Sequence, residues 1–256
     1  MCKKLIFAIV ICFILIILTG CTNKEYNIED KITEEIKYME NEMIGITNNF
    51  ASGNYLRKEN SNQENNRNDN NSASNEEIII NEISAPEINT FDFDKLMKDT
   101  RKIEEASNRM MVDLATQNVD NGEITNLSDG INKMITAISN QDEMRYLVEL
   151  NNVFSLFPNF EAKISTDSDK IFERRLKYFT ISSYISFLVG DKELSKTQIY
   201  TLESEYLNKQ KDVKYVEEHE YNLNKIYLLI EELKKAIETD SAELVKEKYL
   251  LLIKEI

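Results

Sequence analysis

A chain that folds back on itself many times needs residues that let the backbone turn, and this one has few: 6 glycines and 2 prolines in 256 residues. Ordinary globular sequences carry far more of both. Long helices with few connections are what such a chain can form. Strand signals are nearly absent, since the one β-branched run, Ile78 to Ile80, is short and reads equally well as the opening of an extended arm. The expected fold is all-α, a multi-helix bundle with a C-terminal antiparallel helix hairpin.

The N-terminus follows a different logic. Lys3 and Lys4 precede an unbroken apolar run from Leu5 to Leu18, which is shorter than a membrane-crossing helix needs and ends in small residues, as a cleavable signal does. Leu18-Thr19-Gly20-Cys21 stands directly after it and resembles the lipobox of bacterial lipoprotein signal peptides. That resemblance implies cleavage between Gly20 and Cys21 and lipidation of Cys21, with fatty acids such as palmitate attached. Two or three acyl chains hold a protein on a membrane durably, where one binds reversibly. Cys2 and Cys12 would leave with the signal peptide and the Cys21 thiol would be taken up by the thioether, so no disulfide is expected.

The formal charge is −14, and losing Lys3 and Lys4 moves it to −16. That sign argues against nucleic acid and against electrostatic docking on anionic lipid, both of which need clustered Lys and Arg. Membrane attachment is expected through the N-terminal lipid alone.

After the lead from Thr22 to Asn27, apolar residues recur at Ile28, Ile32, Ile36, Met39, Met43 and Ile46, which predicts one amphipathic helix. From Ala51 to Glu77 the chain turns to Asn, Ser and Glu with almost nothing apolar. A disordered linker spanning roughly 30 Å is expected there. The expected division is therefore residues 1–20 as signal peptide, 21–50 as lipidated N-terminus and amphipathic helix, 51–77 as linker, and 78–256 as the helical bundle.

Within the bundle a helix is expected from Asp92 to Asp120-Asn121-Gly122, which should end it. Another should run from Ser128 to Phe157, broken near Asn140-Gln141-Asp142 and closed by Pro158. Thr166 or Asp167 caps the next, which stops at Gly190, and Ser195 opens a shorter one. Val216, His219, Leu223, Ile226, Ile230, Leu233 and Ile237 alternate three and four apart, the spacing of a heptad seam. A closing helix follows an Asp240-Ser241-Ala242-Glu243 capping box, and the two should pair antiparallel. The seam reads as internal core, with a homodimer through Val216, Leu223, Ile226, Ile230 and Leu233 as the other reading.

No catalytic set emerges. His219 is the one histidine, which excludes multi-histidine zinc sites, and its seam position reads as packing. The stretch Gln117 to Ser128 around Gly122 puts Gln117, Val119 and Ser128 where a calcium loop needs coordinating carboxylates or amides, so the ligand set fails. Carboxylate neighbours such as Glu34 with Glu35, Glu104 with Glu105, and Glu217 with Glu218 read as solvated helix faces. Neither a Gly-rich phosphate loop nor a GxSxG elbow is present. The aromatic run from Val153 to Phe160 is read as core, with a binding hot spot as the other reading. No enzymatic activity, cofactor or metal is expected.

Lipobox, polar low-complexity stretch and acidic helical domain together resemble the helical outer-surface lipoproteins of Borrelia spirochaetes. The nearest named group is the complement-regulator-acquiring surface proteins and their paralogues. The resemblance implies a helical bundle anchored in the outer membrane, facing the cell exterior and contacting host proteins such as complement regulators. Residue by residue it extends only to Cys21. A periplasm-facing lipoprotein with a structural or assembly role is the alternative.

Overall fold

The structure, a computed structural model, describes residues 27–58, 89–117 and 119–256. Gly20, Cys21, the signal peptide, Ile78 to Ile80 and residues 59–77 of the expected linker lie outside these. Among the described residues the chain forms helices α1 (Ile28–Ser52), α2 (Phe93–Thr116), α3 (Asn121–Ser139), α4 (Glu143–Phe154) and α5 (Phe157–Ile164). They continue as α6 (Ser168–Leu188), α7 (Lys192–Lys209), α8 (Val213–Glu238) and α9 (Ala242–Glu255). A ribbon of two short antiparallel strands, β1 (Leu56–Lys58) and β2 (Asn89–Phe91), joins α1 to α2, with Leu56 opposite Phe91 and Lys58 opposite Asn89. The fold is a multi-helix bundle.

Most helices start at an aspartate. Asp92, Asp120, Asp142, Asp167, Asp191 and Asp212 each accept a hydrogen bond from a backbone N–H in the first turn of the helix that follows. Asp120 therefore begins α3, where an end to the preceding helix was expected, because its carboxylate takes the Gly122 N–H at 2.8 Å. Pro158 likewise opens α5. It occupies the first turn, where its missing N–H costs nothing. Asp191 opens α7, and Ser195 lies inside that helix, its hydroxyl donating to the Ser183 carbonyl at 2.8 Å. Ser241 precedes α9 without a side-chain capping bond, so the expected capping box does not form.

Most consecutive helices pack on one another, and the bundle closes where α9 lies on α6 and where α4 and α5 also meet α6. Central α6 is buried on every face from Thr180 to Ser186. The small hydroxyl residues Thr180, Ser182, Ser183 and Ser186 let neighbouring helices approach closely; Thr180 and Ser183 donate to the Leu176 and Thr180 carbonyls, and Ser182 accepts from Asn151. The α8–α9 hairpin is antiparallel, with Lys225 pairing Glu255 and Lys248 pairing Glu232.

α1 belongs to this core. Ile32, Ile36, Met39, Met43 and Ile46 are buried against α2, α4, α5, α6 and α9. The folded unit therefore includes residues placed ahead of the linker in the expected division, and a boundary at 78 does not delimit it. Ala51 to Lys58 is structured as well: α1 ends at Gly53, whose φ of 69° favours glycine, and Tyr55 is buried with its hydroxyl 3.1 Å from Asp99. The seam residues Leu223, Ile226, Ile230 and Leu233 are buried against this chain's own helices, and Val216 is half-buried. The side chain of His219 is outside the described set.

The bundle has two distinct ends. One gathers the start of α1 with the end of α2, where Lys31 meets Asp113 at 2.6 Å and Glu35 takes two bonds from Arg109 at 2.7 and 2.8 Å. The other carries the ribbon, seated on an aromatic group in which Phe50 packs against Tyr55, Phe91 and Tyr146.

Candidate functional site

The run from Val153 to Phe160 divides its side chains between two tasks. Val153, Phe154, Phe157 and Phe160 are buried, as the core reading expects. The outer side of the same turn, Pro158 with Ala162, faces Ile171, Tyr178 and Phe179 of α6 across a cleft of about 390 Å³. Among the described residues Arg175 is the one charged side chain lining it, and Ser155 and Asn159 supply polar groups.

Neighbouring arginines on α6 take opposite directions. Arg174 turns inward: Nη1 reaches Glu40 of α1 and Nη2 reaches Glu161 of α5, each at 2.8 Å, and all three residues are buried. Lys177 stands 3.9 Å from Glu40. Burial pushes the Glu40 carboxyl above its ordinary value, a rise that Arg174 and Lys177 oppose and Glu161 reinforces. Two buried carboxylates on one guanidinium thus tie α1, α5 and α6 together.

Arg175 turns outward, its side chain about half exposed, and ion-pairs with Glu205 of α7. Burial raises the Glu205 carboxyl, and Arg175 partly offsets the rise. The guanidinium also lies 5.9 Å from the centre of the Phe179 ring, within cation–π range. Beyond Arg175, between α6 and α7, a second depression of about 430 Å³ includes Phe172, Glu205 and Lys209. Lys209 is committed there: it bonds Asp169 and Asp212 and lies 4.7 Å over the Tyr215 ring.

Among the described residues no group of three or more His, Cys, Asp or Glu side chains could hold a metal ion. Of the carboxylate neighbours, Glu35 is used by Arg109 and Glu104 by Arg101. No helix among the described residues is long and apolar enough to cross a membrane. The cleft and the Arg174 cluster escaped the sequence reading because nothing local marks them; Glu40, Glu161 and Arg174 meet only when α1, α5 and α6 pack.

The comparisons with known proteins add no relative: no family model, no curated protein and no solved structure matches this chain.

Proposed function

We propose that this chain is a lipid-anchored binding protein displayed on the outer surface of the cell, contacting host proteins through its helical bundle. The observation that carries the reading is Leu18-Thr19-Gly20-Cys21 standing directly after the apolar run Leu5 to Leu18. The absence of a catalytic set in the sequence agrees with a binding role, and the resemblance to Borrelia surface lipoproteins supplies complement regulators as the first partners to test.

The packing of α1 alters how such a protein would stand. Six residues, 22–27, separate Cys21 from Ile28, and even fully extended they reach no further than about 25 Å. A lipid on Cys21 would then hold the bundle close to the membrane by its α1 end. The ribbon lies at the far end of α1, about 37 Å along a helix of 25 residues. In this arrangement the Asn-rich stretch is an excursion between two strands and not the tether.

Protease treatment of intact cells tests the display. Digestion of the domain on whole cells is expected; full protection until the outer membrane is breached would assign the protein to the periplasmic face and favour an assembly role.

A further inference from the structure

The α5–α6 cleft has the make-up of a small-ligand site. Its volume falls at the lower end of the range such sites occupy, about 300–1,000 Å³. Its walls mix apolar residues, Pro158 and Ala162 on one side and Ile171 and Phe179 on the other, with the polar groups of Ser155, Asn159 and Tyr178. Among the described residues its one charged lining side chain is Arg175, whose guanidinium is ion-paired with Glu205 at the cleft's edge.

Arg175 also has capacity to spare. A guanidinium presents five N–H donors in a planar fork suited to a carboxylate, and the bond to Glu205 is made through Nη2. The half-exposed side chain borders both the cleft and the depression shared with α7. Its position over Phe179 places charge and ring at one wall, so that a carboxylate and an attached apolar group can be held together.

We propose that this cleft binds a carboxylate carried on an apolar group, of the kind presented by the C-terminus of a peptide ending in an apolar residue, with Arg175 taking the carboxylate and Phe179, Ile171 and Pro158 receiving the apolar part. Ser155 and Asn159 provide hydrogen-bonding groups for a peptide backbone. Glu205 competes with the ligand for the guanidinium. The inference rests on the reading of the chain as a binding protein but not on its location.

The test is a saturation-transfer NMR titration of the full chain in detergent with N-acetyl-phenylalanine, beside its C-terminal amide. Saturable binding of the acid and at least tenfold weaker binding of the amide are expected. Arg175→Gln should weaken the acid at least tenfold and Ala162→Leu should block the cleft, both with unchanged thermal unfolding. Glu205→Gln, which frees the guanidinium, should tighten binding. Absence of saturation, equal binding of acid and amide, or no effect of Arg175→Gln would overturn the proposal. None of these outcomes bears on surface display, which the protease experiment decides separately.

Discussion

Tyr184 of α6 and Tyr249 of α9 lie face to face, ring centroids 4.1 Å apart and planes 6° from parallel. Both rings are buried, and burial raises the Tyr184 hydroxyl to about 12. The pair fastens the C-terminal helix to the centre of the bundle. The Tyr249 hydroxyl reaches α1 beside Thr47 without a hydrogen bond of normal geometry, and Thr47 itself donates to the Met43 carbonyl at 2.9 Å. Tyr249→Phe keeps the stack and removes a poorly satisfied hydroxyl, so it is expected to change stability by less than about 1 kcal/mol. Tyr249→Ala removes the ring and should cost about 3–5 kcal/mol. Urea unfolding of both variants checks the contrast.

The Arg174 cluster predicts an asymmetry between its members. Arg174→Met leaves two buried carboxylates without the guanidinium that bridges them, only Glu40 retaining Lys177 nearby, and should cost about 3–5 kcal/mol, whereas Glu40→Gln leaves Arg174 paired with Glu161 and should be near neutral or stabilising. The pH dependence follows from the raised Glu40 carboxyl. The folded state takes up this proton at a pH where the unfolded chain, titrating near 4.5, has not, so the group's contribution to stability grows as pH falls through the folded value and levels off below 4.5. Any advantage of Glu40→Gln over the natural chain should therefore be largest at neutral pH and shrink on acidification. Asp169 acts in the opposite sense. Its carboxyl is held below 3.8 chiefly by the bond from Lys209, so its contribution is present above that value and lost as pH falls through the lower folded one. Unfolding midpoints measured from pH 7 to pH 2 separate the two, the Glu40 effect falling above 4.5 and the Asp169 effect below 3.8.

Removal of α1 is expected to be far more damaging than its place ahead of the Asn-rich stretch suggests. A chain beginning at Ile78 loses Ile32, Ile36, Met39, Met43 and Ile46 from the core. At about 1.5–3 kcal/mol each the loss is of order 10 kcal/mol, comparable with the whole stability of a domain. Such a chain should lack a cooperative thermal transition, which calorimetry beside the chain beginning at Tyr26 would reveal.

Two helical glycines should respond to alanine in opposite directions. A Cβ at Gly130 would sit 2.5 Å from Val153 Cγ2, where α3 crosses α4, while one at Gly45 meets nothing within 4 Å. Gly130→Ala is expected to cost about 1–3 kcal/mol by overpacking, and Gly45→Ala to add about 0.5–1 kcal/mol. Combining Gly130→Ala with Val153→Ala should cost less than the two single changes summed, because the second removes the obstructing methyl.

Lipidation is tested at one residue. Cys21→Ala should leave an uncleaved precursor and abolish labelling by radioactive palmitate; label persisting in that variant would remove the basis for the anchor.

The sequence carries the local part of this fold and little of the assembly. The α1 stripe, the Asp167 cap, the stop at Gly190 and the α8–α9 pairing are all legible, because each depends on residues a few positions apart. The burial of Thr180, Ser182, Ser183 and Ser186 is not, since a hydroxyl next to apolar residues reads as a surface position until its partners arrive from other helices. Pro158 and Asp120 are ambiguous in the sequence for a related reason: the same residue can end one helix or begin the next, and only the neighbouring turn decides. The Arg174 cluster joins positions 40, 161 and 174, a coincidence that no periodicity encodes.

The pairing of Lys58 with Asn89 closes the ribbon, and with it the two ends of residues 59–88 are fixed a strand spacing apart, about 4.8 Å. A turn of two residues bridges such a gap, and each doubling of a longer connection adds only about 0.6 kcal/mol of closure entropy. The bundle is therefore indifferent to how much chain lies between those two residues. Lengthening, shortening or rewriting that stretch should leave every helix with its neighbours, any change being confined to the pole of the molecule opposite Ile28.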